Sequence, residues 1–125
     1  MTDTAHDSLA IVLDYHRAWT SGDVDAAMAL LADDVVARAP GIEPADRGAW
    51  HAYIGGFAPA LSGIDEIAQL ADGERVSLWY VTHVGDAAAP AAELFTVRDG
   101  RIVEIETVFD RLSFAPQGGP ESEGD

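Results

Sequence analysis

The sequence predicts an α+β domain in which three N-terminal helices pack on one face of a curved antiparallel sheet, and three observations carry that reading. Apolar residues recur with a helical period through the first half of the chain and with a period of two from Ile64 onward. Asp99-Gly100 stands between two alternating runs, Glu93 to Arg98 and Arg101 to Asp110, which is the strongest short-range signal for a hairpin. A short strand-like run, Val35 to Ala39, interrupts the helices, so the order is helix, helix, strand, helix and then four strands. At 125 residues the chain has room for one core, assigned to residues 1–115. Residues 116–125 read as an acidic tail without pattern, expected to be disordered.

Each element follows from local chemistry. Thr4-Ala-His-Asp7 fits a capping box, and Leu9, Val12, Leu13, His16 and Trp19 then fall on one helical stripe that Ser21-Gly22 ends. Asp23 caps a second, shorter helix with Val24, Ala27, Met28 and Leu31 on its apolar side, closed by Asp33-Asp34. Pro40-Gly41 ends the first strand. Trp50, Tyr53, Ile54, Phe57 and Leu61 mark the third helix, which Gly55 and Gly56 weaken by roughly 1 kcal/mol each relative to alanine. Ile64 to Ala71 is a strand, Asp72-Gly73 a turn, and Glu74 to Val84 a long strand with two alternating sets, Val76/Leu78/Tyr80/Thr82 and Ser77/Trp79/Val81/His83. Both sets are largely apolar, so both faces need cover, helices on one and a second copy of the chain on the other. Gly85 to Ala91 reads as the loop before the closing hairpin.

Composition narrows function by exclusion. A formal net charge of -15 repels phosphates, so nucleic acid and anionic membrane are poor partners while a neutral or cationic small molecule is acceptable. The basic residues are all arginine, and without lysine there is no Schiff-base chemistry. Cysteine is absent too, which removes thiolate nucleophiles and zinc-thiolate sites, and the four histidines lack ligand spacing, so neither metal nor cofactor is expected. No basic leader or membrane-length apolar run is present, so the expected location is cytoplasmic.

Tyr15-His-Arg-Ala-Trp-Thr-Ser-Gly-Asp23, the stretch Ala26 to Asp34, the Pro40-Gly41 turn, and Asp99-Gly-Arg-Ile-Val-Glu104 followed by Asp110 together resemble the SnoaL-like polyketide cyclase family. That family lies within the nuclear-transport-factor-two-like superfamily, beside ketosteroid isomerases and limonene epoxide hydrolases, and the likeness spans residues 8 to 117. It implies a conical, mixed, cystatin-like α+β barrel with a deep apolar pocket, usually paired as a homodimer. It also implies two oxyanion donors, Tyr15, seven residues before Gly22, and a protonated Glu93, two before Phe95. The position of the isomerase base is Ala39, and the position of the hydrolase or cyclase aspartate is Thr107, so neither of those carboxylates is present.

The candidate site drawn from the residues themselves pairs His83 with Glu93. If Gly85 to Ala91 closes a hairpin, His83 lies opposite Glu93, Val81 beside Phe95 and Trp79 beside Val97, all facing the pocket. A three-residue, bulged turn at Asp99-Gly100 brings Val103, Ile105, Thr107 and Phe109 to the same face. Trp19, Trp50, Tyr53 and Phe57 line it from the helices. Glutamate then fixes the imidazole as a base, or donates a proton itself, while Tyr15 stabilises a developing oxyanion. Arg38, His51 and Asp110 are rim candidates, although alternation leaves Asp110 outside unless a bulge turns it inward, and His16 reads as a core-edge or interface residue. Three functions fit: a cofactor-free cyclase or isomerase acting on a hydrophobic carbonyl or polycyclic substrate, with epoxide-hydrolase-like ring opening as a variant; a non-catalytic binder of an apolar molecule; and a dimeric domain whose cavity its own side chains fill.

Overall fold

The structure, a computed structural model, describes residues 4–42 and 44–109. Helix α1 (Thr4–Thr20) ends where Gly22 takes φ +98 and the Ser21 and Thr20 hydroxyls donate back to Ala18 and His16 carbonyls. Helix α2 (Val24–Met28) starts at Asp23, whose carboxylate accepts from the Ala26 amide. It stops sooner than the apolar spacing suggests, and Leu31, Asp33 and Asp34 belong instead to strand β1 (Leu31–Arg38). Leu31 and Val35 are buried there while both aspartates face water, where the register shift between Leu31 and Val36 breaks the strand alternation. Helix α3 (Arg47–Phe57) is capped by Asp46 on the Ala49 amide and continues into a 3-10 turn at Ala58–Ala60. Arg47 ties its start to the end of α2 by donating to the Met28 carbonyl at 2.8 Å.

Four strands follow, β2 (Gly63–Asp72), β3 (Arg75–Val84), β4 (Ala87–Arg98) and β5 (Arg101–Phe109). The sheet order is β1-β5-β4-β3-β2, with β1 parallel to β5 and every other pair antiparallel, so the sheet is mixed and curved but not closed into a barrel. Its concave face holds the core, in which Tyr15, Phe95, Leu31, Ile54, Ile102 and Ile105 are fully buried. No helix among the described residues is long and apolar enough to cross a membrane. The side chain of the expected cap Thr4, the rim candidate Asp110 and the tail 116–125 lie outside what is described.

Two turns differ from the sequence expectation, and one of them matters for everything that follows. Residues 85–91 are not a loop. Gly85, with φ +58, and Asp86 make a two-residue turn that pairs Val84 with Ala87, so β3 and β4 meet five residues earlier in β4 than the longer loop implied. Five is odd, and an odd slip exchanges the two faces of a strand pair. Asp99-Gly100 is likewise a two-residue turn, with φ +54 and +79, pairing Arg98 with Arg101. The bulge sits deeper, between Thr96 and Val97, so Val97 opposes Ile102 and it is Ile102, not Val103, that fills the core.

These backbone facts set a paired test. Gly85→Ala forces a side chain into the left-handed region and should cost about 1 kcal/mol. Gly56→Ala, in a helical position with open space where its Cβ would go, should gain about 0.5–1 kcal/mol. Urea unfolding of both variants against the parent checks the two signs together.

Candidate functional site

The exchange of faces decides which side chains meet. Val76, Leu78, Tyr80 and Thr82 of β3 point inward with Ala91, Glu93 and Phe95 of β4 and Ile105, Thr107 and Phe109 of β5. Ala91 lies directly across from Tyr80, so no bulky neighbour fills the space above the tyrosine ring. Trp19 from α1 and Trp50, Tyr53, Ile54 and Phe57 from α3 roof that space. The result is a narrow aromatic hollow of about 40 Å³, smaller than the deep pocket expected, walled also by Tyr80, Thr82, Thr107 and Phe109. Trp50 and Tyr53 stack at 5.0 Å, and Trp19 tilts against Phe57 at 6.1 Å.

One carboxyl stands on the floor. Glu93 is 3% exposed, and neighbouring strands grip both its oxygens: the Tyr80 hydroxyl donates to Oε1 at 2.8 Å and the Thr107 hydroxyl to Oε2 at 2.6 Å. Burial raises its pKa, and the two hydroxyl donors only partly offset that rise. Tyr80 is pushed up in turn by its own burial and by the Glu93 charge. Tyr15 rises for the same two reasons, its hydroxyl accepting from Trp50 Nε1 at 2.8 Å. The hydroxyl of Tyr15 thus accepts from the indole behind the pocket wall, while its ring packs edge-on to Phe95 at 5.8 Å.

His16 completes the cluster. Its ring is 1% exposed, tilted against Tyr80 at 4.6 Å, with Nδ1 3.8 Å from Glu93 Oε1. Burial brings its pKa down to about 4, Glu66 pulling it up and Arg17 pushing it down by smaller amounts. Burial therefore disfavours the charged form of both groups, raising the pKa of Glu93 and leaving His16 neutral at neutral pH.

Several expected site residues are elsewhere. His83 opposes Ala88 rather than Glu93 and pairs with Asp65 on the outer face at 2.8 Å, 35% exposed. Trp79 and Val81 share that outer face, Trp79 with 49% of its surface open. Phe95, Val97 and Ile105 point inward but are core residues away from the hollow. Arg38 is exposed on the outer face, across from Glu106, and His51 sits 3.5 Å from Asp25 of α2. Ala39 is buried and carries no proton acceptor. None of the expected β3–β4 pairs, His83 with Glu93, Val81 with Phe95 or Trp79 with Val97, forms, whereas Glu93 lies opposite Thr107 of β5. Tyr80, Thr82, Ile54, Ala91 and His16 went unassigned to the site; the dipeptide Gly85-Asp86, a recognised two-residue hairpin turn, carried the signal that would have found the first two. Among the described residues, no three His, Asp or Glu side chains gather as metal ligands would.

Comparison with known proteins agrees with this architecture. A Kribbella flavida DSM 17836 protein of known structure is 38% identical, with a TM-score of 0.82 over 90% of this chain and 92% of that one. A putative ketosteroid isomerase from the same organism matches at 20% identity and a TM-score of 0.73, covering 94% and 87% of the two chains. An M. tuberculosis LEH-like epoxide hydrolase matches at 20% and 0.72, covering 89% and 88%. No curated protein matches the sequence. The SnoaL-like domain family matches residues 12–105, three quarters of the length, and the chain belongs to that family.

Proposed function

We propose that the hollow binds a small hydrophobic carbonyl compound and that Glu93 moves a proton on it without a cofactor, as a cyclase or isomerase does. The observation that carries this reading is a buried carboxyl, its pKa raised by burial, held by two hydroxyls at the floor of an aromatic pocket. An acid in such a place is costly to the fold, and pockets of this kind are where perturbed carboxyls do proton transfer. Thr107 and Tyr80 fix both oxygens, leaving Glu93 no freedom except to hold or release its proton. A ligand larger than the 40 Å³ of open space needs the aromatic walls to swing apart.

A second reading, a binder without chemistry, draws on Ala39 and Thr107, the two places where related enzymes keep carboxylates. The bicyclic ketone 2-tetralone separates the two. Binding is read by quenching of the Trp19 and Trp50 fluorescence, and proton transfer by deuterium uptake beside the carbonyl in D2O. The parent should accelerate uptake over buffer, and Glu93→Gln should lose roughly 10²–10⁴-fold of that rate while binding stays within about threefold. Quenching with no acceleration favours the binder. No quenching at all favours a domain whose own side chains fill the cavity.

The same proposal places a second copy of the chain on the outer sheet face. Trp79, Leu94, Val108 and Leu70 are exposed there, and Arg38 and Arg75 share one shallow hollow with Glu104 and Glu106, both signs of charge on one surface as a two-fold contact needs. Sedimentation of the parent should give a dimer at micromolar concentration, and Trp79→Glu should give a folded monomer. A parent that sediments as a monomer overturns the pairing.

A further inference from the structure

A second buried titratable side chain stands beside Glu93. His16 lies in the core with neither ring nitrogen hydrogen-bonded among the described residues, an expensive state for a buried imidazole. Trp19 stands edge-on to the ring at 6.0 Å and Tyr80 tilts against it at 4.6 Å, so its plane is fixed. Its Nδ1 points toward one group, the Glu93 Oε1 atom 3.8 Å away, about 1 Å beyond hydrogen-bond length. We propose that His16 and Glu93 form a dyad sharing a single proton, which passes from the Glu93 carboxyl to His16 Nδ1 and so turns the pocket acid into a pocket base. This rests on the proton-transfer reading above and deepens it, assigning the site to substrates with an acidic C–H beside a carbonyl.

The proton balance is closed. The O–H bond of Glu93 breaks, an N–H bond forms on His16, and the pair keeps zero net charge in both arrangements. Glu93 ionising alone would leave an isolated charge in an apolar hollow, whereas transfer to His16 places the countercharge next to it. The lone pairs also suffice. Oε1 accepts from Tyr80 and from the new N–H, and Oε2 accepts from Thr107 and keeps one lone pair for the ligand's proton. After taking that proton, Glu93 is again a carboxylic acid beside an imidazolium and returns it to a second carbon of the ligand, as an isomerisation requires. The base is then used up and restored within one cycle, with no co-reactant.

The surroundings of His16 permit this traffic and confine it. Glu66 on β2 faces the ring from behind, but it is bound to Arg17 through two contacts of 3.1 and 3.2 Å, so these two charges largely cancel at the imidazole. Tyr80 on β3 and Glu93 on β4 are the remaining titratable groups against the ring. The crevice on the far side, between Leu13, Gln69 and Leu78, has no room for a water molecule. Exchange with Glu93 is the available path.

The test needs no substrate. Full-length protein carrying ¹³C-labelled glutamate carboxyls and ¹⁵N-labelled histidine rings is titrated by NMR from pH 4 to 9. In the parent, the Glu93 and His16 signals should move together, as coupled sites do. His16→Phe, which retains an aromatic ring against Tyr80, should move the Glu93 carboxyl signal at pH 7 toward its fully protonated position and lower 2-tetralone exchange at least tenfold. Glu93→Gln, read in the opposite direction, should leave the His16 ring with a single titration step uncoupled from any carboxyl, which keeps the question answerable if His16→Phe does not fold. A Glu93 signal indifferent to residue 16, or a His16 ring indifferent to Glu93→Gln, overturns the dyad. Coupled signals in a protein that does not exchange the ketone sink the functional reading and leave the dyad standing, whereas exchange without coupling does the reverse.

Discussion

A carboxyl group taken out of water into an apolar interior costs several kcal/mol if it is ionised and unpaired, and this chain keeps one at the centre of its concave sheet. The cost is contained because burial shifts Glu93 toward its protonated form and because a hydroxyl reaches each of its oxygens from a different neighbouring strand. That arrangement requires the registers on both sides of β4 to be right at once. Leu78 must oppose Glu93 so that Tyr80 lies diagonally within reach, and Thr107 must oppose it on the other flank. A slip of one residue in either ladder leaves the acid facing water or buried without donors. The carboxyl therefore depends on the whole three-strand unit, and the unit's register can be read off from the carboxyl.

The helices serve this constraint from above. Helix α1 brings Tyr15, His16 and Trp19 over β3 and β4 because residues at these spacings share a face, and α3 adds the rings of Trp50, Tyr53 and Phe57 with Ile54 among them. Their rings bury Glu93 and His16 together, which raises the pKa of the carboxyl and lowers that of the imidazole. An acidic exterior works in the same direction. With a net charge of -15 the protein's field disfavours a further negative charge inside, although the effect is long-ranged and screened by salt.

Much of this was legible in the sequence. The helix cap at Asp23, the stop at Gly22, the turns at Asp72-Gly73 and Asp99-Gly100 and the order of elements all come from short-range chemistry that one chain segment contains by itself. The pocket face of β3 was not legible in the same way. Both alternating sets on that strand are apolar, so hydrophobicity does not choose between Tyr80 and Trp79, and the choice falls to the turn that follows. The run Ala87 to Ala92 is alanine apart from Pro90, weak in strand propensity, and looks like a loop; it is strand because it is paired along its whole length with β3 and then with β5. Tertiary pairing overrode local preference there, and the parity of one turn moved His83 out and Tyr80 in. His16 was visible on its helical stripe, but only the placement of Glu93 shows what it faces.

The absence of an aspartate at 107 can then be understood as the condition for an acid at 93. Thr107 Oγ1 is 2.6 Å from Glu93 Oε2, so a carboxylate at 107 would set two acids at hydrogen-bond distance in a dry site, and they could not both ionise. Threonine gives the opposite interaction, a donor where the aspartate would repel. The same holds at the strand entry, where Ala39 adds no second charge to the core. A pocket with one carboxyl and one uncharged imidazole holds a single mobile proton, and a single proton is what an isomerisation or ring closure has to move. In the proposed dyad the pair at 16 and 93 carries both acceptance and donation, with Tyr80 and Thr107 holding the carboxyl still while the proton changes sides.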